Sequence, residues 1–508
     1  MELIKETVKL AQSVYKGETQ VMSDGDITVP DIKPDILKLL QVDAVSCITE
    51  TEVYDGRLDI CGKVYITILY IPDRDGEKIR SVDEVFEFSH KVENRNICAG
   101  MEAGVISNVI RVEFSAVNSR RVRIKAIIGL DYEILGINEI EIPSGMPEEA
   151  QIKTETVKLR NSVEFSTHEF NVREKIEIPG GQPAINEILK TDVRISDTDY
   201  KTVSGKIVIK GVVGVCALYT DDNLDIKFTE AELPFTEVFD APEVSDDTIC
   251  DIEYSVCSIQ SNVEEDSDGE RTVIGFDILI KARIKGEEEV EIEMITDCYI
   301  PREKTVIKAA AVETEEYSAT PSVQNTIREV IEFPDGMPPV SGIYNVITRA
   351  YVTKAQIQGG KLQCEGKTEA YILYISESND NPVYSLKKEL PFSYMLECEG
   401  APEDSEPRIQ AEIRHTSYNL NAAGEAELRC ILSLSANIIN KRKINVIESV
   451  ETDDSKEIKN GIVIYFVQNG DTLWNIAKHY GVPYEEILEF NKLEDEGKIY
   501  PGQRLFIP

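Results

Sequence analysis

The stretch that decides the fold is Ile274-Gly275-Phe276-Asp277-Ile278-Leu279-Ile280-Lys281-Ala282-Arg283-Ile284. Every second residue is apolar, from Ile274 to Ile284, and a period of two places all of them on one face of an extended strand. The other face carries Asp277, Lys281 and Arg283, which suits contact with water. Residues 122–130 and 426–434 alternate in the same way. The pattern therefore predicts a mainly β protein with half-buried strands.

The sequence contains three copies of one long repeat. Gly56-Arg57-Leu58, Gly205-Lys206-Ile207 and Gly360-Lys361-Leu362 are spaced by 149 and then 155 residues. The same two offsets relate three further sets of residues: Gly62, Gly211 and Gly366; Tyr70, Tyr219 and Tyr374; and Pro30, Pro179 and Pro334. Units of this length are too long for a solenoid repeat of roughly 20–50 residues, so each is predicted to be a domain.

These offsets divide the 508 residues into repeats at 1–149, 150–304 and 305–444, a linker at 445–460 and a terminal module at 461–508. Turn residues such as Asp266-Ser267-Asp268-Gly269 separate the strands. Each repeat is therefore predicted to be an antiparallel β-sandwich-like unit. Within the repeats only short helices are expected, for example around Glu2–Gln12 and Asp35–Leu40.

The last residues change character. A strand-like run at Ile464–Val467 precedes Asp471-Thr472, either of which can cap a helix that Gly481 ends. Pro483 can open a second helix, and Arg504–Ile507 is a closing strand. The order strand, helix, helix, strand requires two paired strands covered by two short helices.

The terminal residues resemble a LysM module, on the motif Tyr465-x-Val467-x-x-Gly470-Asp471-Thr472-Leu473-Trp474-x-Ile476-Ala477 and Tyr500-Pro501-Gly502-Gln503-x-Leu505-x-Ile507-Pro508. The resemblance implies a shallow groove between two loops that binds N-acetylglucosamine-containing chains. The residues expected to form this glycan- or partner-binding groove are Gly470, Asp471, Thr472, Leu473, Asn491, Ile499, Tyr500, Pro501 and Gly502. We assign Trp474, Ile476, Ala477, Leu488 and Leu505 to the module's core.

The phrase Ile27-Thr28-Val29-Pro30-Asp31-Ile32-Lys33-Pro34-Asp35-Ile36, with Tyr65–Tyr70, resembles the SPOCS domain of endospore-forming bacteria. The second and third repeats lack its Lys-Pro-Asp element, which leaves open whether all three bind alike. Three SPOCS units before a LysM module resemble a family of spore-coat morphogenetic proteins. The expected fold is then mainly β, with three antiparallel β-sandwich-like repeats followed by a small βααβ LysM module.

Charge and composition exclude several classes of function. The chain has 54 Lys and Arg against 92 Asp and Glu, a net charge of −38, which repels nucleic acid. The N-terminus shows no signal-peptide pattern and no run of ~18 apolar residues occurs, so we expect a cytosolic protein that does not span a membrane. The ten cysteines form no CxxC pair and are expected to be reduced.

We find no catalytic constellation, no metal site and no cofactor motif. The four histidines are scattered. The segment Gly211–Gly214 lacks the features of a phosphate loop and suggests a β-bulge or close backbone packing. Acidic and apolar residues alternate in the run Glu287–Glu293, which favours a solvent-exposed strand face. Ser166 and His168 are close to each other in the sequence, but such a pair is weak evidence for a hydrolase.

The resemblance implies a non-enzymatic sporulation scaffold or adaptor in the mother-cell cytoplasm, at the forespore surface. Its implied partner is the spore-coat morphogenetic ATPase, a SpoIVA-like protein, and its LysM module serves partner binding and, as an open second role, glycan binding. The alternative is a peptidoglycan-binding cell-envelope protein anchored by its LysM module. Which repeat binds the partner, and the oligomeric state, stay open.

Overall fold

The computed structural model describes residues 3–74, 76–147, 149–333, 336, 339–376, 383–453, 461–493 and 499–508. Most of them lie in antiparallel strands. The first repeat consists of β1 (Ile4–Thr28), β2 (Ile36–Tyr54), β3 (Arg57–Pro72), β4 (Arg80–Glu93), β5 (Glu102–Asn118) and β6 (Arg121–Gly145). The second consists of β7 (Gln151–Glu177), β8 (Ile185–Val203), β9 (Lys206–Asp221), β10 (Ile226–Asp240), β11 (Ile249–Glu264) and β12 (Val273–Tyr299).

The third repeat has one more strand because its first strand is interrupted at Pro321, which has no N–H to donate. It consists of β13 (Lys304–Ala319), β14 (Ser322–Ile331), β15 (Val340–Gln358), β16 (Lys361–Ser376), β17 (Val383–Glu397), β18 (Glu406–Leu420) and β19 (Ala426–Asp453). The terminal module consists of β20 (Val463–Phe466), α1 (Leu473–Tyr480), α2 (Tyr484–Asn491) and β21 (Arg504–Ile507).

Each repeat is a sandwich of two sheets. In repeat 1 the strand orders are β1-β6-β5 and β2-β3-β4, and repeats 2 and 3 follow the same plan. Side chains from β3 and β6, the central strands of the two sheets, meet in one core. In repeat 2, Ile274, Ile278, Ile280 and Ile284 of the central strand β12 are fully buried. The predicted alternation and the predicted β-sandwich-like class are confirmed.

The glycine markers have a packing role. Gly62, Gly211 and Gly366 each lie in the central strand of the smaller sheet, and in each repeat a phenylalanine ring of the next strand packs against the glycine backbone. A Cβ on Gly211 would lie 2.6 Å from Cζ of Phe235. Of the expectations for Gly211–Gly214, close packing holds at Gly211, and β8 has a register shift opposite it, between Ser196 and Asp199.

Two predicted helices are wrong. Ile4–Gln12 is part of β1, with Val8 and Leu10 buried, and Ile36–Leu40 begins β2. Neither stretch forms a helix because β1 pairs along β6 and β2 pairs along β3. The apolar residues at two-residue spacing then face the interior. Here tertiary pairing overrides local propensity.

No strand ladder in the described residues crosses from one repeat to the next. The predicted boundaries at 149/150 and 304/305 fall in, or within one residue of, the loops between the last strand of one repeat and the first strand of the next. The division into independently folding domains stays a prediction. The predicted linker is wrong from 445 to 453, because β19 continues to Asp453 and Val446 is buried. Residues 454–460 lie outside the described residues.

The three repeats surround a common axis. At one end, equivalent leucines from each repeat, Leu69, Leu218 and Leu373, pack together. At the other end, the long hairpins of all three repeats share a second cluster that includes Leu10, Ile292 and Val446. Apolar contact at both ends of the axis makes the repeats one body.

A buried ion cluster lies between these ends. Lys190 Nζ is 2.8 Å from Asp43 Oδ2 and 2.9 Å from Asp192 Oδ1, and Arg349 lies 3.8 Å from Asp43. The cluster therefore joins repeat 1, repeat 2 and repeat 3. Burial raises the pKa of Asp43, but the charges of Lys190 and Arg349 outweigh burial and hold it below its ordinary value. Burial raises the pKa of Asp192, and Lys190 only partly offsets that effect.

The expectation that all ten cysteines are reduced is wrong for one pair. Cys47 of β2 and Cys257 of β11 form a disulfide, with a Cα–Cα distance of 5.1 Å. The residues are 210 apart in sequence, so only the packing of repeat 2 on repeat 1 brings them together. The other eight cysteines are free.

Gly211→Ala should destabilise the protein by about 1–3 kcal/mol, because the buried ring of Phe235 must move to admit the new methyl group. Gly180→Ala is the matched control, since a Cβ there meets no atom within 4 Å. Urea unfolding of both variants measures the difference. Equal stability of the two variants would contradict the packing role.

Lys190→Met should cost about 3–5 kcal/mol at pH 7.5, because Asp43 and Asp192 are left buried without their cation. Without Lys190 both carboxyl pKa values rise above the unfolded value of about 4. Lys190→Met therefore has its full free-energy cost at a pH above those raised pKa values. The cost shrinks as the pH falls through these pKa values toward pH 4. Urea unfolding at pH 5 and pH 7.5 tests this. The exposed Lys201→Met serves as the control, and a cost for Lys190→Met that does not change with pH would refute the explanation.

Candidate functional site

The first helix of the terminal module forms as its sequence predicts. Thr472 is the N-cap, and its Oγ1 accepts a hydrogen bond from the Asn475 N–H at 3.2 Å. Gly481 ends α1 in the left-handed conformation, with φ 69°, and its N–H donates to the Ala477 carbonyl. Leu473, Ile476 and Ala477 are buried. The predicted strand, helix, helix, strand order is confirmed.

Asn491 ties the second helix to the closing strand. Its Nδ2 donates to the carbonyls of Ile487 and Phe506, at 2.8 and 2.6 Å, and its Oδ1 accepts from the Phe506 N–H at 2.7 Å. The amide of Asn491 is thus engaged with backbone. The geometry gives this predicted groove residue a structural role.

The second loop expected to form the groove is bonded to Val467, just after the first strand of the module. The Val467 N–H donates to the Gln503 carbonyl at 2.9 Å, and the Gly502 N–H donates to the Val467 carbonyl at 2.8 Å. These bonds extend the β20–β21 pairing into the loops. The grouping of residues 470–473 with 499–502 into one groove stays a prediction.

Asp471 organises the first loop. Its Oδ2 accepts hydrogen bonds from the Gln468 N–H and from the Tyr465 hydroxyl, both at 2.7 Å. These two bonds lower the pKa of the Asp471 carboxyl, so it is ionised at neutral pH. Asp471 is thus a loop-shaping residue, and Thr472 alone caps the helix.

Most of the other predicted groove residues are open to solvent. Gly470, Thr472, Pro501 and Gly502 are exposed, and Ile499 is half-buried. Tyr500 is 66% exposed. A tyrosine offers a large apolar face and a hydroxyl at low entropic cost, which suits both a sugar ring and a protein surface. Leu473 differs, because its side chain is in the core and only its backbone can reach the groove.

The terminal module docks on repeat 2, although it follows repeat 3 in the chain. Trp474 Nε1 donates to Asp297 Oδ2 at 2.8 Å, and the Lys478 ammonium bonds the other oxygen of the same carboxylate. Asp297 lies near the end of β12. The face of α1 that carries Trp474 and Lys478 is therefore turned toward the body.

Two further contacts complete this interface. The Tyr299 hydroxyl donates to the Val482 carbonyl at 2.8 Å, and its ring meets that of Trp474 edge to face at 5.1 Å. The Arg302 N–H donates to the Gly481 carbonyl at 2.8 Å. Trp474 packs against the module's core as predicted, but sequence reasoning missed its contacts with Asp297 and Tyr299. No local pattern links residues so far apart.

The described residues hold no group of three or more His, Cys, Asp or Glu side chains placed to bind a metal ion. None of the helices among them is long and apolar enough to cross a membrane.

Glu289 and Glu291 of the acidic run face solvent as expected, with Lys158 near both, whereas Glu287 is buried and paired with Arg160 at 2.8 Å.

The architecture defines a class: a β-sandwich repeat protein that carries a small terminal binding module. A family model described as "SipL, SPOCS domain" matches residues 35–117, 184–264 and 339–421, and a LysM domain model matches residues 465–508. The chain is therefore a SPOCS-domain protein with a C-terminal LysM domain.

Two curated relatives share short segments. The uncharacterized protein YkzQ of Bacillus subtilis (strain 168) is 48% identical over 40 residues, which are 8% of this chain and 52% of that protein. An uncharacterized protein of Chlamydia pneumoniae is 43% identical over 44 residues, which are 9% of this chain and 12% of that protein. The chain thus spans about half of the first relative and a small part of the second. No solved structure matches the chain.

Asp297→Ala should loosen the docking of the LysM module, because Trp474 and Lys478 lose their shared acceptor. Trp474 is the sole tryptophan of the chain, so its fluorescence reports on this interface directly. We expect a red-shifted emission and stronger quenching by acrylamide, with Asp268→Ala in an exposed turn as the control. An emission spectrum identical to that of the wild type would count against the docked arrangement in solution.

Proposed function

We propose that the protein is a sporulation scaffold or adaptor that binds the spore-coat morphogenetic ATPase, a SpoIVA-like protein, at the forespore surface in the mother-cell cytoplasm. The three SPOCS domains support the sporulation context, and the LysM domain supports a binding role. In this proposal the three repeats form a body that presents the LysM groove to its partner.

The observation that carries the proposal is the state of the LysM module. One face of α1 is held against repeat 2 through Asp297, while Tyr500 and the neighbouring loop residues stay exposed. A groove fixed in orientation and open to solvent suits an adaptor, because a preorganised surface loses less entropy on binding.

We also propose that the protein acts by binding and not by catalysis. Ser166 Oγ lies 3.0 Å from His168 Nε2, but both residues lie on strand β7 and the His168 ring stacks on Phe239 at 4.1 Å. A nucleophile of this kind needs a third group that orients the base and donors for an oxyanion. Packing of the imidazole on an aromatic ring supports a structural role for the pair.

Tyr500→Ala should weaken binding of the purified ATPase by about tenfold or more, since an exposed aromatic residue at the centre of a groove is a typical hot spot. The Tyr500 side chain is largely exposed to solvent, so the variant should fold. Phe490→Ala, which removes an aromatic ring of similar exposure from α2, should bind within about twofold of the wild type. Calorimetric titration measures both affinities.

The second candidate function is glycan anchoring, because the same open groove can accept N-acetylglucosamine oligomers. Deletion of residues 461–508 separates the two. If the deletion leaves ATPase binding intact while the full chain binds the oligomers at low micromolar concentration, the adaptor role of the module is wrong and the glycan role replaces it.

A further inference from the structure

The disulfide leaves repeat 1 from the face of β2 that points away from the core of that repeat. Ala44 and Ile48 of β2 are buried in this core. Side chains alternate along a strand, and the register of β2 against β3 is unbroken over these residues, so Cys47 lies on the opposite face of the sheet. Cys47 therefore points toward repeat 2, where it is bonded to Cys257.

A β-bulge places Cys257 for this bond. The register of β11 against β12 shifts between Val256 and Ser258, so Cys257 is the extra residue of the strand. A bulge releases its extra residue from the ladder and re-aims the side chain. The other two repeats have a shift at the equivalent position, where the extra residues are Ile110 of β5 and Arg414 of β18.

The equivalent positions of the other two junctions carry no disulfide. Arg414 of repeat 3 pairs with Asp197 on β8 of repeat 2, with 2.8 Å between Nη1 and Oδ1. At the third junction the bulge residue is Ile110, and Tyr351 stands where repeat 1 has Cys47. Neither of these side chains can form a disulfide. The arrangement of the repeats therefore does not require a covalent bond at this position.

Other contacts also hold repeat 1 on repeat 2. Lys281 Nζ of β12 donates to the Ile48 carbonyl at 2.9 Å, one residue after Cys47. Lys33 Nζ of repeat 1 lies 2.7 Å from Glu187 Oε1 of repeat 2. The buried ion cluster and the leucine cluster on the axis join the same two repeats. We therefore expect the two repeats to stay together when the disulfide is opened.

One end of the disulfide lines a large cavity between the repeats. The cavity has a volume of about 820 Å³, and Cys257 is part of its wall. It holds solvent, since Val85 of repeat 1 also lines it and is 44% exposed. Cys257 is 7% exposed and Cys47 only 2%. A reagent small enough to enter the cavity can therefore reach Cys257 Sγ, whereas the broad surface of a protein oxidoreductase cannot.

We propose that Cys47 and Cys257 form a reversible redox site that exchanges with low-molecular-weight thiols. In the oxidised state the disulfide fixes repeat 1 on repeat 2. In the reduced state the same two repeats stay in contact but can shift against each other. Disulfides in a reducing compartment such as the cytoplasm are usually transient or redox-sensing, and the cytoplasmic location rests on the proposed function.

The exchange proceeds in two steps. The thiolate of a small thiol attacks Cys257 Sγ, a mixed disulfide forms there, and Cys47 Sγ leaves as a thiolate that takes up a proton. A second small thiol attacks the mixed disulfide at the sulfur of the first, which releases Cys257 as a thiol and one small disulfide. Two small thiols thus supply the two electrons and two protons that the protein gains. Oxidation by the small disulfide is the reverse of these steps.

The first test compares two variants of the full-length protein, with the disulfide of β-mercaptoethanol as a small neutral probe. In Cys47→Ser, the thiol of Cys257 lies at the cavity and should form a mixed disulfide with the probe. In Cys257→Ser, the more deeply buried Cys47 should react more slowly by about tenfold or more. Mass spectrometry of proteolytic peptides measures both rates. Cys364 is fully buried, so its modification would reveal unfolding of either variant.

The second test uses the wild type. Treatment of the folded protein with β-mercaptoethanol should make Cys47 and Cys257 available to alkylation, and the disulfide of the reagent should protect them again. Circular dichroism and sedimentation should be the same in both states. Amide hydrogen exchange of β2 near Cys47 and of β11 near Cys257 should be faster in the reduced state by about threefold or more. Exchange around the Arg414–Asp197 pair is the internal control and should not change.

Three results would overturn the proposal: reduction by the small thiol only in urea, which would make the bond a sealed structural link; free thiols at both cysteines after equilibration with the oxidant; or equal hydrogen exchange in the two states. The proposed function is judged separately, because the ATPase takes no part in these measurements. If the bond opens and closes as expected but the ATPase does not bind the wild type, the adaptor role fails and the redox site stands.

Discussion

The structure depends on apolar contact among three equivalent hairpin ends. Leu69, Leu218 and Leu373 pack together at one end of the axis, and the long hairpins meet at the other. Each repeat buries its own sandwich core, but these two clusters bury side chains that no single repeat could cover. The ion cluster of Asp43, Lys190, Asp192 and Arg349 is tolerable only because the surrounding repeats supply both signs of charge. A chain with two repeats would leave part of it unpaired.

Local pattern accounts for much of the fold. The alternation from Ile274 to Ile284 was sufficient to identify a central strand, and the spacing of Gly62, Gly211 and Gly366 identified equivalent packing sites. The sequence pattern gave wrong predictions where a segment pairs with residues that are far away in the sequence. Ile4–Gln12 has enough helix-forming residues to suggest a helix, yet it pairs along β6. Val446 follows the polar run Lys441-Arg442-Lys443, yet it packs in a cluster with side chains of the two other repeats.

The same limit applies to the candidate site. The loops, the Thr472 cap and the exposed Tyr500 follow from residue types at fixed local spacing, whose geometry is set within a few residues. The contacts of Trp474 with Asp297 and Tyr299 do not, since they depend on how the module docks on a distant part of the chain, and Asp297 lies 177 residues before Trp474. The disulfide between Cys47 and Cys257 is hidden for the same reason. Asn491 shows a third case, in which a motif residue is needed to build the fold and so reveals nothing about the ligand.

The LysM module is attached to the body by two routes. The chain enters it after Asp453 of repeat 3, while Asp297 and Tyr299 hold it on repeat 2. A force applied to the LysM module by a bound partner is therefore shared by repeats 2 and 3. The apolar clusters on the axis join these two repeats to repeat 1. A pull on the module then acts on the whole body, and the non-covalent contacts with repeat 2 are the part of the attachment that can open and close again.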